Sequence, residues 1–220
     1  MATPLRLHRD EPESVGSDRR LDPGTVTAPP SDRCASVRST ALPVTGPHPP
    51  LFAVLGAHGG AGASTLARWW APAADTGLAW PGSPRSTQRV VVAARLCMPG
   101  LTAAAERLRE WHAGLAPDGV TVIGLVLTAA RPGRVPATVR RYRRVVAQLV
   151  EDLYAIGWHD ELIACDLADL AQYLPFDPVP PRRARIHDAV PTDVHRAGTA
   201  ILTRLAASRE NAAPQPDSER

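Results

Sequence analysis

The chain has 220 residues, a formal net charge of +3, 23 prolines and 16 glycines. So small a charge excludes polycation behaviour for the chain as a whole. It contains no lysine: all 25 Lys-plus-Arg positions are arginine, which excludes Schiff-base chemistry and the ordinary phosphate-loop lysine in cis.

Residues 1–48 are rich in Pro, Ser, Thr, Arg and Asp and show no sustained period, so a disordered tail is expected there. Leu51 to Leu55 is a short apolar run ending in glycine, the pattern of a buried strand. Ser64 to Ala74 reads as a helix, with Leu66, Trp69, Trp70 and Ala73 on one stripe. Residues 75–88 read as loop. Trp80 in that loop is expected to be exposed, whereas Trp69, Trp70 and Trp111 are expected in the core or an interface. Arg89 to Ala94 is a second strand, Pro99 to Leu115 a helix, and Val120 to Thr128 a third strand. A helix is expected from Pro136 to Asp152, with Pro136 at its first position. Leu153 to Trp158 is a fourth strand, and Thr192 to Ala207 the last helix. Residues 159–190 show no clear period, and 209–220 read as a second disordered tail.

Strands apolar throughout that alternate with amphipathic helices predict an α/β fold: a mostly parallel sheet with helices on both faces, over 49–208. Cys34, Cys97 and Cys165 are widely spaced, so neither a disulfide framework nor a zinc site is expected. No secretory signal or membrane-length apolar run is visible, and a soluble cytoplasmic protein is expected.

The first strand leads into His58-Gly59-Gly60-Ala61-Gly62-Ala63-Ser64-Thr65 and then a helix, the setting a phosphate loop needs. Glycines let the backbone amides approach an anion, and a hydroxyl at Ser64 suits Mg²⁺. These eight residues are the candidate nucleotide-binding set. A plain strand-to-helix turn is the alternative.

Gly59 to Ala67 resembles the deviant Walker A loop of the ParA/MinD-type P-loop ATPases, K-G-G-x-G-K-[ST]-T. Gly59, Gly60, Gly62, Ser64 and Thr65 match; His58 and Ala63 stand where that family has its two lysines. Val90 to Leu108 is similar to the family's strand and helix that follow Walker B. Gly124 to Thr128 is similar to its G-V-V-L-N strand, with Thr128 in place of the adenine-contacting Asn. The resemblance implies ATP or ADP as ligand and leaves Mg²⁺ open. Two strands that carry the family's metal- and water-positioning aspartates have no counterpart, and Asp75 is the sole acid in the gap. Hydrolysis is therefore not expected, because phosphoryl transfer rests on positioning and charge neutralisation. An intracellular binding or scaffold protein with a protein partner is the implied role. An atypical ATPase in DNA or plasmid partition is the alternative, with Arg68, Arg95 or Arg131 considered as substitutes for the missing charge.

Arg131, Arg134, Arg140, Arg141, Arg143 and Arg144 precede the next acid, Glu151. They are candidates for anion or DNA contact in a DNA-associated accessory protein, against the plainer reading of a solvated helix face.

Overall fold

The computed structural model describes residue 22 and residues 25–212. Expectations for residues 1–21, 23, 24 and 213–220 lie outside the described residues. The chain runs β1 (Val37–Arg38), β2 (Phe52–Gly56), α1 (Ala63–Trp69), β3 (Ala73–Gly77), β4 (Trp80–Pro81) and β5 (Arg89–Arg95). It continues through α2 (Met98–His112), β6 (Thr121–Thr128), α3 (Ala137–Ala147), β7 (Leu153–Ile156) and α4 (Thr192–Ala212).

Five strands form one parallel sheet in the order β3-β2-β5-β6-β7. Alternate side chains of each strand leave on opposite faces, which is why the strands read as unbroken apolar runs. Phe52, Val54, Val91 and Ala93 pack with α1 and α4. Ala53, Leu55, Val90 and Val92 pack with α2 and α3. Burying each of these Phe, Val and Leu side chains contributes about 1.5–3 kcal/mol. The expected architecture is therefore the observed one. Among the described residues no helix is long and apolar enough to cross a membrane.

Four local expectations are corrected. The first helix stops at Trp69 rather than Ala74, because the residue before Pro72 is biased out of the helical region. The expected loop 75–88 contains the edge strand β3, which begins at Ala73 and pairs Ala73 with Phe52, and the short β4. Trp80 is fully buried, not exposed. The last helix continues through Ala212, past the expected tail boundary.

The described part of the expected N-terminal tail is also ordered against the body. The segment 25–48 crosses α2, and β1 lies parallel to β4. The Trp80 N–H donates to the Ser36 carbonyl at 2.9 Å, and the Leu42 N–H donates to Ser86 Oγ at 2.7 Å. The clamp on α2 is ionic. Arg33 meets Glu106 at 2.7 Å, and the Ala35 N–H donates to Glu110 at 3.0 Å. Arg107 and Glu110, both almost wholly buried, pair at 2.7 Å, and Arg107 also donates to the Arg33 carbonyl. Polar composition misled the sequence reading here, because the order comes from partners about 75 residues away.

Candidate functional site

The glycine loop leaves the carboxyl end of β2, which lies between β3 and β5, and ligands of open α/β sheets bind at such strand ends. Gly60 and Gly62 have φ of 76° and 90°, a left-handed conformation that side chains rarely adopt. Gly62 is also the cap of α1. The backbone N–H groups of Gly59, Gly60, Gly62, Ala63, Ser64 and Thr65 have no acceptor among the described residues. Gly59, Gly60 and Ser64 are exposed, and Gly62, Ala63 and Thr65 are half-buried.

The other named positions have defined roles. His58 does not point its ring nitrogens outward. Its Nδ1 lies 2.8 Å from the Gly59 carbonyl, and its Nε2 accepts the Arg95 backbone N–H at 3.1 Å. With Nε2 accepting, Nδ1 is the nitrogen that donates to the Gly59 carbonyl. Ala61 is buried, and its carbonyl accepts from Thr128 Oγ1 at 3.0 Å. Thr128, the residue in the adenine-contact position of the resemblance, is thus a buried tie between β6 and the loop.

Arg95 is the cation the sequence reading could not place. From the end of β5 its Nε donates to the Gly60 carbonyl at 2.8 Å, and its Nη1 donates to the Ala129 carbonyl at 2.7 Å. A half-buried guanidinium therefore lies against the glycine loop of a chain that has no lysine. Arg68 is turned away onto the Leu167 and Ala168 carbonyls. Arg131 is exposed on the loop after β6.

Asp75 is the residue that sequence reasoning undervalued. On β3, beside β2, it accepts the Ser64 hydroxyl at 2.5 Å and the Gly77 N–H at 2.7 Å. Its strand was missed because Ala73 to Gly77 is short and ends in Asp, Thr and Gly, residues that also mark loops. Ser64 and Asp75 offer one hydroxyl and one carboxylate. This set suits Mg²⁺ carried on a phosphate chain, which keeps most of its waters, and is too small to hold a free ion. Among the described residues no group of three or more His, Cys, Asp or Glu side chains could hold a metal.

The six arginines of the second candidate set stand together on the loop after β6 and on α3. All are exposed except Arg143, which is half-buried. A separate cavity of about 580 Å³ is lined by Glu161, Ala164, Cys165, Asp169, Ile186 and His187, none of which belongs to the glycine loop. No protein-family model, no curated protein and no solved structure matches the chain.

Proposed function

We propose that the chain is a P-loop-derived module, of the ParA/MinD kind, that binds a phosphate-bearing ligand such as ATP or ADP without hydrolysing it and acts as a binding or scaffold protein. The observation that carries this reading is the set of N–H donors of Gly59, Gly60, Gly62, Ala63, Ser64 and Thr65, without acceptors among the described residues, at the carboxyl end of β2. Such donors suit phosphate oxygens. Arg95 adds a positive charge beside them, and Ser64 with Asp75 would hold Mg²⁺ on the phosphates. A bound Mg²⁺ supplies charge neutralisation at the phosphate oxygens.

Turnover is not expected, for two reasons in the chain itself. There is no lysine, and Arg95, the arginine whose side chain bonds the loop, already spends Nε and Nη1 on backbone carbonyls. Among the described residues, no second carboxylate joins Asp75 in its contacts with Ser64 and Gly77.

Calorimetric titration with ATP and ADP, with and without Mg²⁺, tests the reading. Gly59→Trp is the blocking variant, since a Cβ there meets nothing within 4 Å and the fold should tolerate it. Micromolar binding that Gly59→Trp abolishes, with no phosphate release above background, is the expected result. No heat at millimolar nucleotide would refute nucleotide binding, and measurable turnover would refute the non-hydrolytic role.

A further inference from the structure

Six arginines fall within residues 131–144, a density the chain reaches nowhere else. Some arginines elsewhere are ion-paired. Arg33 pairs with Glu106, Arg107 with Glu110, and Arg204 with both Glu151 and Asp152. Among the described residues, none of Arg131, Arg134, Arg140, Arg141, Arg143 and Arg144 forms an ion pair. Arg140 makes only a local bond, from Nη1 to the Val135 carbonyl at 2.7 Å. No acid lies between Asp118 and Glu151, and the nearest acids, Glu151 and Asp152, are occupied by Arg204 of α4. These six charges exceed the net +3 of the whole chain, so the remaining residues carry a negative balance. The positive field is thus local.

The placement is rigid. Val139, Val146 and Ala147 bury the inner side of α3, which fixes its rotation and leaves Arg140, Arg141 and Arg144 outward. Arg144 stands four positions from Arg140 and three from Arg141, where like charges repel along a helix. The arrangement therefore does not serve helix stability, and an anion laid along it would relieve the repulsion.

We propose that the outer face of α3, with the Arg131–Arg134 loop leading into it, docks the phosphate backbone of a nucleic-acid duplex. Guanidinium groups match phosphate oxygens in charge and geometry. A duplex is favoured over a single strand because the face offers no stacking platform: Tyr142, the one aromatic on α3, is half-buried on the groove side with Val146 and Leu149. The face also lacks the buried aromatic anchor of a protein interface. This inference stands independently of the glycine-loop reading.

The test uses the full chain, without nucleotide, and a labelled mixed-sequence DNA duplex of about 25 base pairs followed by fluorescence anisotropy over about 50–200 mM salt. An RNA duplex, a single strand and polyglutamate serve as parallel probes. Expected is duplex binding whose log–log salt slope is about −4, with four to five phosphates contacted. Arg141→Ala with Arg144→Ala should reduce the slope by about two, roughly one per lost contact. Both side chains are exposed and repel their neighbours, so thermal unfolding should not be lowered. The exposed pair Arg182→Ala with Arg183→Ala is the charge-matched control and should leave the slope intact. The DNA and RNA arms identify which duplex is preferred. Absence of duplex binding at the lowest salt, tighter binding of polyglutamate or of the single strand, or an equal loss in the control pair would overturn the proposal.

Discussion

His58 Nε2 accepts the backbone N–H of Arg95 at 3.1 Å, and the Arg95 side chain returns to donate to the carbonyl of Gly60 at 2.8 Å. The loop after β2 and the end of β5 therefore hold each other in both directions. The loop geometry is set by this clasp as well as by its own glycines.

Gly100, in the first turn of α2, completes the clasp by standing aside. A Cβ there would lie 2.2 Å from the Arg95 carbonyl oxygen and 3.0 Å from His58 Nε2. Alanine improves helix propensity by about 1 kcal/mol. The clash is with backbone, however, and overpacking costs about 1–3 kcal/mol. Gly100→Ala is expected to lower stability overall, read as a lower urea midpoint, and to weaken any nucleotide binding with it. A raised midpoint would show that α2 can shift freely from the loop.

The strap over α2 gives a second prediction. Glu110 is buried, pairs with Arg107, and accepts the Ala35 N–H. Removing its charge leaves the Arg107 guanidinium buried without its carboxylate, which costs about 3–5 kcal/mol in such sites. Glu110→Gln should therefore destabilise the whole fold. It should also release the strap, seen as faster proteolytic cleavage within residues 25–48. Unchanged cleavage would mean that Arg33–Glu106 and the β1–β4 pairing hold the strap alone.

What the sequence made legible follows from where the ordering forces lie. The sheet and its helices were readable because Val90 to Val92 and Val122 to Leu127 are apolar on both faces and their neighbours carry helical stripes. The glycine loop was readable because its glycines stand at consecutive turn positions. Asp75 was not readable as a partner of Ser64, since their contact depends on β3 pairing beside β2. Arg95 was one of three arginines the sequence could not rank. The Arg107–Glu110 spacing of three on α2 was the available signal for the strap, but it lies off the apolar stripe of Leu101, Ala104 and Leu108, on a side that reads as solvated.

Gly198 on α4 tests packing against propensity in the other core. Trp70 is fully buried and its Nε1 donates to the Val194 carbonyl at 3.0 Å. A Cβ at Gly198 would lie 2.9 Å from two atoms of the Trp70 indole and 2.9 Å from the Tyr173 ring. Both rings are held by the sheet and by the helix, so neither yields cheaply. Gly198→Ala is expected to destabilise by about 1–2 kcal/mol despite its better helix propensity. Loss of the Trp70 environment should appear as a shift in near-ultraviolet circular dichroism. A more stable variant with an unchanged spectrum would show that the α4–α1 seam has slack.

Asp193 carries a pH dependence whose sign can be worked out. It sits in the first turn of α4 and joins that helix to the end of β7. Its Oδ2 accepts the Gly157 N–H at 2.6 Å, its Oδ1 accepts the Val194 N–H at 2.9 Å, and His159 Nε2 lies 3.2 Å away. Burial acts to raise its pKa. The contacts with His159 and the two N–H groups more than offset this, and the net position is below the usual 3.8. A carboxyl group whose folded pKa is depressed contributes stability that is fully present above its unfolded value. That contribution is lost as pH falls through the folded value. The wild-type urea midpoint should therefore decline as pH drops below about 4, with Asp193 contributing to the slope. Asp193→Asn should be less stable at neutral pH, and its midpoint should fall less steeply over the acid window. Parallel acid limbs for the two proteins would show that the Asp193 contacts do not couple α4 to β7.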